Sequence, residues 1–261
     1  MITPLFASHY SMDSLLTLEE PGKAKPGAPV SVYDLALEAG LKDVVLVDSR
    51  IGGFIQAYKA ADKAKVKLCY GIKMVVAADA ANKEDESRYT ESKIIIFLKE
   101  TAGYSDLIRI WNRAWTDGYF PSRDGGYGRT DWKTLGALWS DHLILALPFF
   151  SSFLARNQLT FSRIVPDLPA APVVFREVDS GLPFEPLINA AIEKYDETGE
   201  VESIVPVKSV YYARRSDFKA YMVKRCLGRK SSFDKPNIDH LSSDQFSFED
   251  YLSLIRPPSI P

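Results

Sequence analysis

Six short runs rich in Val, Ile and Leu recur along this chain, and helical patterns fill the gaps between them. The runs are Val44–Asp48, Lys67–Val76, Lys93–Leu98, His142–Leu147, Pro172–Glu177 and Ser203–Val207. They show little alternation of apolar and polar residues, which is the signature of strands covered on both faces. Between them, Phe54, Tyr58 and Ala61 fall on one helical face, as do Leu107, Ile108, Trp111 and Trp115, and then Leu187, Ile188, Ala191, Ile192 and Tyr195. Ser216-Asp217 is placed to cap a helix running to about Leu227. Strands alternating with helices at this rhythm predict parallel βαβ units, as a barrel or an open sheet.

The punctuation agrees. Pro21–Pro29 holds three prolines and two glycines, so it cannot be helix interior. Ala78–Glu91 is polar and predicts an exposed loop after a strand, and Asp124-Gly125-Gly126-Tyr127-Gly128 predicts a flexible turn. From about residue 229 to 261 the pattern predicts an extended tail with one short helix near Phe248–Leu254. The 261 residues, 46% hydrophobic, suit one large α/β domain over residues 1–261.

A net charge of −2 gives no global basic excess of the kind that phosphate-driven nucleic-acid binding uses. Two cysteines, Cys69 and Cys226, do not make a disulfide framework, and a reducing, cytoplasmic compartment is expected. No apolar run approaches the roughly 20 residues that span a bilayer, so no membrane association is expected. The chain has three histidines, His9, His142 and His240, without the close spacing of a metal motif.

Several stretches carry a resemblance. Leu5-Phe6-Ala7-Ser8-His9-Tyr10-Ser11-Met12-Asp13 is similar to His-x-His-Ser-x-Tyr-Ser, the opening motif of the PHP (polymerase and histidinol phosphatase) domain, as found at the N-terminus of the bacterial replicative DNA polymerase III alpha subunit. Leu5 and Ala7 stand where its two histidines belong. Val44-Val45-Leu46-Val47-Asp48-Ser49-Arg50, with Gly53 and Ala57-Tyr58-Lys59-Ala60-Ala61, resembles the second motif; Asp48 matches the ligand aspartate and Ser49 replaces the adjacent histidine. In Cys69–Val76, Lys73 stands at the place of a bridging glutamate. Lys93 replaces another histidine ahead of the Gly103-Tyr104 helix start, and Phe149 falls near a ligand cysteine. Phe175-Arg176-Glu177 resembles a Phe-x-Leu-Glu strand end, and in Val205–Tyr212 Ser209 and Tyr211 replace the last aspartate and histidine.

The resemblance implies an α/β fold, a distorted (β/α)7 barrel with its site at the C-terminal ends of the strands. It also implies a degenerate metal site, since among these ligand positions only Asp48 keeps a ligand. Leu5, Ala7 and Phe149 are expected to fill the former cavity, and Lys73 or Lys93 to pair with Asp48, because a buried unpaired carboxylate costs several kcal/mol. The implied protein is not an enzyme and needs no cofactor. It is a structural or interaction module whose partner is a DNA polymerase or a proofreading exonuclease-like replisome protein, with nucleic acid contacted only indirectly. Two other readings stay open. A residual phosphoesterase would use Asp48, His9, Asp13, Glu177 and Asp179 around one Mg²⁺ or Mn²⁺. A metal-free binder of phosphate or single-stranded DNA would use Lys73, Lys93 and Lys208, with Arg50 and Arg123 nearby. Trp111, Trp115, Trp132 and Trp139 read as helix packing or as an aromatic contact surface.

Overall fold

The computed structural model describes residues 2–11, 13–25, 27–122, 125–229, 231–232, 234, 238 and 241–256. Met12, Arg123, Asp124 and His240, named above, lie outside the described residues, as does 257–261 of the tail.

The fold is mixed α/β. Its strands are β1 Thr3–Phe6, β2 Asp43–Asp48, β3 Lys67–Ala77, β4 Ser92–Leu98, β5 Arg129–Asp131, β6 Leu143–Leu147, β7 Val173–Glu177 and β8 Ser203–Val210. They hydrogen-bond in the order β2-β1-β8-β7-β6-β4-β3-β5, and a further β2–β3 pairing closes the seven strands other than β5 into the expected barrel. The helices are α1 Val32–Glu38, α2 Phe54–Ala64, α3 Gly103–Thr116, α4 Trp132–Leu138, α5 Phe153–Leu159, α6 Glu185–Asp196, α7 Phe218–Arg229 and α8 Phe248–Ile255. By internal contacts the chain forms two compact units: Met1–Gly71 with Glu177–Pro183 and Pro206–Pro261, and Ile72–Arg176 with Phe184–Val205.

In the first unit β1 lies parallel to β2, with Phe6 level with Leu46, and parallel to β8, with Leu5 level with Ser209. Its core holds fully buried Phe6, Leu16, Leu18, Tyr33, Leu46, Tyr212, Tyr221 and Phe246. Helix α1 starts at Ser31, whose side chain accepts from the Tyr33 N–H; α8 starts at a reciprocal Ser247–Asp250 capping box. Segment 246–249 is tied to 211–213: Tyr211 N–H donates to Phe246 O and Phe248 N–H to Tyr212 O. Helix α2 buries Ala57, Ala60, Ala61 and Ala64 and leaves Tyr58 exposed, because the alanine row is the narrow face that packs closely. The predicted Phe54–Tyr58–Ala61 face is corrected accordingly. Before α7 a short 3₁₀ turn, Arg215–Asp217, takes the place of the predicted Ser216 cap.

In the second unit β6 runs parallel to β7, but antiparallel to β4, with Ile96 level with Leu145. The all-parallel expectation fails there, since strand direction leaves no mark on a continuous apolar run. The three-residue β5 extends β3, pairing Thr130 with Val76. Helix α4 is capped by Asp131, and α5 by Ser152. Of the predicted stripes on α3 and α6, Leu107, Ile188 and Ile192 turn inward, whereas Trp115 and Leu187 face solvent; Ile110, outside the predicted stripe, is buried on α3.

Candidate functional site

Two carboxylates at strand ends of the first unit are each held by a serine from the neighbouring strand. The register that places Phe6 beside Leu46 brings Ser8, two residues on, level with Asp48. Both are fully buried. The Ser8 N–H donates to Asp48 Oδ1 at 2.8 Å, and Ser8 Oγ donates to Oδ2 at 2.7 Å. The remaining frame residues hold that serine. Tyr10 N–H donates to Ser8 Oγ (3.2 Å), and Ser11 donates to Ser8 O through both N–H and Oγ, each at 3.0 Å. Tyr10 then lies over Gly53, where a Cβ would meet its ring at 2.7 Å, and its hydroxyl donates to Gln56 Oε1 at 2.9 Å. The Ser-x-Tyr-Ser pattern is thus a turn built around the end of β2. Burial pushes the Asp48 carboxyl above its ordinary value, opposed by the hydrogen bonds from Ser8 and by the charge of His9. The expected partnership of Asp48 with an ammonium is not formed: serine dipoles occupy both oxygens, and among the described residues Asp48 makes no ion pair.

The same device recurs between β7 and β8. The Ser209 N–H donates to Glu177 Oε1 at 2.7 Å and its Oγ to Oε2 at 2.6 Å, again with both side chains buried. Leu5 stands in register with Val45 and Ser209, and the Ala7 N–H reaches Val210 O at 3.4 Å. Ala7 is buried, Leu5 and Ser49 half-buried. Lys208 is fully buried, and its Nζ donates to the carbonyls of Val178 and Asp179, fastening the turn after β7. Tyr211 is buried and stacked on Tyr221 with ring planes 2° apart, while its carbonyl accepts from Leu15 N–H and Ser14 Oγ. Burial, with Tyr221 adding to it, pushes its phenol well above the ordinary value.

Helix α7 staples residues 13–14 from the far end of the sequence. Arg225, nearly fully buried, pairs with Asp13, and Lys224 Nζ donates to Ser14 O. No local signal could have revealed partners 212 residues apart.

In the second unit Lys73 lies on β3 and Lys93 on β4, both half-buried. The Lys93 N–H donates to Ser151 O at 2.8 Å. Phe149 is buried and meets Phe150 edge-on, with centroids 5.0 Å apart. Trp132 is buried, while Trp111, Trp115 and Tyr119 form a half-exposed ladder with centroid spacings of 5.7 and 6.4 Å. Trp115 lies so close to Gly128 that a Cβ there would come within 2.7 Å of its ring.

The donor chemistry does not fit a polynuclear metal centre. Leucine, alanine, phenylalanine and lysine supply no ligand at the ordinary protonation state, which leaves too few donors for several ions. Among the described residues no three His, Cys, Asp or Glu side chains gather into a group that could hold a metal ion. His9 is exposed beside Tyr10, and His142 contacts Glu100 at 2.5 Å.

A closed α/β barrel whose polar side chains collect at strand ends defines the broad class, one in which chemistry and binding are carried by those ends. The family model "PHP domain" matches residues 26–155, a stretch containing Asp48, Ser49, Lys73, Lys93 and Phe149. Residues 26–155 of the chain carry a PHP domain. No curated protein matches the chain. Among the described residues no helix is long and apolar enough to cross a membrane.

Proposed function

We propose that this PHP domain is catalytically inactive and serves as a structural or protein-interaction module of a DNA replication machinery of the DNA polymerase III alpha type. The observation that carries this reading is the state of Asp48. The one residue that keeps a ligand identity is buried with both oxygens bound to Ser8. Each oxygen keeps a further lone pair, but one buried carboxylate does not make a metal site without other ligands beside it. Leu5, Ala7, Ser49, Lys73, Lys93, Phe149, Ser209 and Tyr211 add no compensating ligand set. A frame that stands without its ligands keeps a shape, and a kept shape is useful for what it contacts. The polymerase and exonuclease partnership comes from the family resemblance.

Metal analysis of the purified protein, paired with a pull-down against a polymerase III alpha subunit and its proofreading exonuclease, tests the proposal. The expected result is no tightly held metal and retention of one replication protein. Two or more zinc, iron or manganese ions held per chain, or manganese-dependent phosphoester cleavage abolished by Asp48→Ala, would overturn it.

A further inference from the structure

The segment between α5 and β7 carries two of the most exposed large apolar side chains among the described residues, Phe161 at 89% and Val165 at 87%. Exposure alternates along it: Phe161, Arg163, Val165 and Asp167 face solvent, while Ser162, Ile164 and Pro166 are partly or wholly covered. From Ser162 on, that period of two is the pattern of an extended chain, which Phe161 enters through a turn. Its middle is anchored in strand fashion, by a side chain. The Asn157 amide donates to Ile164 O and accepts from Ile164 N–H, both at 2.9 Å, as a neighbouring strand would. Among the described residues the main-chain groups of Phe161, Arg163 and Val165 form no hydrogen bond. Phe161 also sits at φ 52°, a left-handed conformation that a bulky side chain seldom adopts. The isolated chain therefore holds a strained residue here, beside uncovered apolar area and main-chain groups that no protein group takes up. Strain and open apolar surface gathered on one segment mark a functional contact.

We infer that residues 161–165 form an edge to which an extended peptide of a partner protein adds as a strand. Main-chain hydrogen bonds would supply affinity and alternate side chains the selectivity. The outward row reads apolar, cationic, apolar, so the matching strand presents apolar, acidic, apolar side chains at alternate positions. A second copy of this chain is disfavoured as the occupant, because the two-fold antiparallel arrangement centred on the segment sets Arg163 against its own copy. Pro166, lacking an N–H, ends the edge. This inference rests on the reading of the chain as an interaction module and names the chemistry of one partner segment.

The test is anisotropy with two labelled synthetic peptides, Ser-Val-Thr-Glu-Thr-Val-Ser and its counterpart with Lys in place of Glu. The wild type is expected to bind the Glu peptide about tenfold more tightly than the Lys peptide. Arg163→Glu should invert that preference, and Phe161→Ser with Val165→Ser should weaken the Glu peptide by about tenfold or more while leaving circular dichroism unchanged. Equal affinity for the two peptides, no measurable binding, or a wild-type dimer lost in Phe161→Ser would overturn the inference. The replication-protein pull-down separates the two levels. If the Phe161→Ser/Val165→Ser protein retains its partner as well as wild type does, the edge falls and the module stands. If wild type retains none, the module reading itself falls.

Discussion

Asp48 and Arg129 are both completely buried charges, one in each compact unit, and the protein neutralises them in different ways. Arg129 meets a full counter-charge: its Nη1 lies 2.8 Å from Glu91 Oε1 and 3.0 Å from Ser87 Oγ, its Nη2 donates to Asn82 O, and the guanidinium sits 4.2 Å from the Phe120 ring centroid. Tyr127 completes the cluster by donating its hydroxyl to Glu91. Asp48 makes no ion pair among the described residues, and its hydrogen bonds come from dipoles, a serine N–H and a serine hydroxyl. An ion pair fixes a charge outright and here stitches the 82–91 loop to β5. A dipolar cradle tolerates the charge but leaves the carboxyl able to take a proton. The first arrangement belongs to scaffolding. The second sits at a strand end, where the family resemblance places a metal ligand.

The comparison breaks first at Arg129. Removing one partner of a buried pair strands the other, so Arg129→Met should destabilise the protein by about 4 kcal/mol, read as a lower urea midpoint. A loss below about 1 kcal/mol would show that the network is ornamental and the contrast false. Next comes Asp48→Ala, which leaves the Ser8 N–H and hydroxyl buried without acceptors; a loss of about 3 kcal/mol is expected by the same measurement. Ser209→Ala, which removes one charge-assisted hydrogen bond from Glu177 and keeps the main-chain one, should cost about 2 kcal/mol. The order Arg129, Asp48, Ser209 is itself the claim. Ser209→Ala exceeding Arg129→Met would reverse it.

Much of this was legible in the chain. Six apolar runs marked β2, β3, β4, β6, β7 and β8 to within a few residues, because buried strands announce themselves by composition. Strands β1 and β5 were not among them. β1 is four residues long and includes Pro4, and β5, Arg-Thr-Asp, has no apolar residue at all; it is a strand only because the far end of β3 offers it an edge. The loop before β4 read as exposed from its charges, yet Ser87 within it is buried, since Arg129 draws the loop inward. At the site, Ser8, Asp48, Glu177 and Ser209 were all singled out as residues, but not as pairs. Their pairing depends on parallel register between strands far apart in sequence, which no local window contains. Lys208 was readable as an anion contact, and its burial against two carbonyls follows from a turn the sequence does not specify.

The finest discrimination is a titration. With its carboxyl raised by burial, folded Asp48 holds a proton that the unfolded chain has already released, so its contribution to stability is fully present below its unfolded value near 3.8 and is lost as pH rises through the higher folded value. Asp48→Asn cannot titrate, and its amide suits the same cradle: Oδ1 accepts from the Ser8 N–H while Nδ2 donates to a rotated Ser8 Oγ. The variant should therefore match the wild type at acid pH and gain on it as pH rises above 3.8, by less than any of the losses above. Carboxyls common to both proteins cancel in the difference between their melting curves. Parallel curves of melting temperature against pH would mean that the serine dipoles hold the Asp48 charge as fully as an ion pair would, erasing the distinction from Arg129. A gap that closes with rising pH would mean that they hold it better than water does, and that the folded carboxyl lies below, not above, its ordinary value.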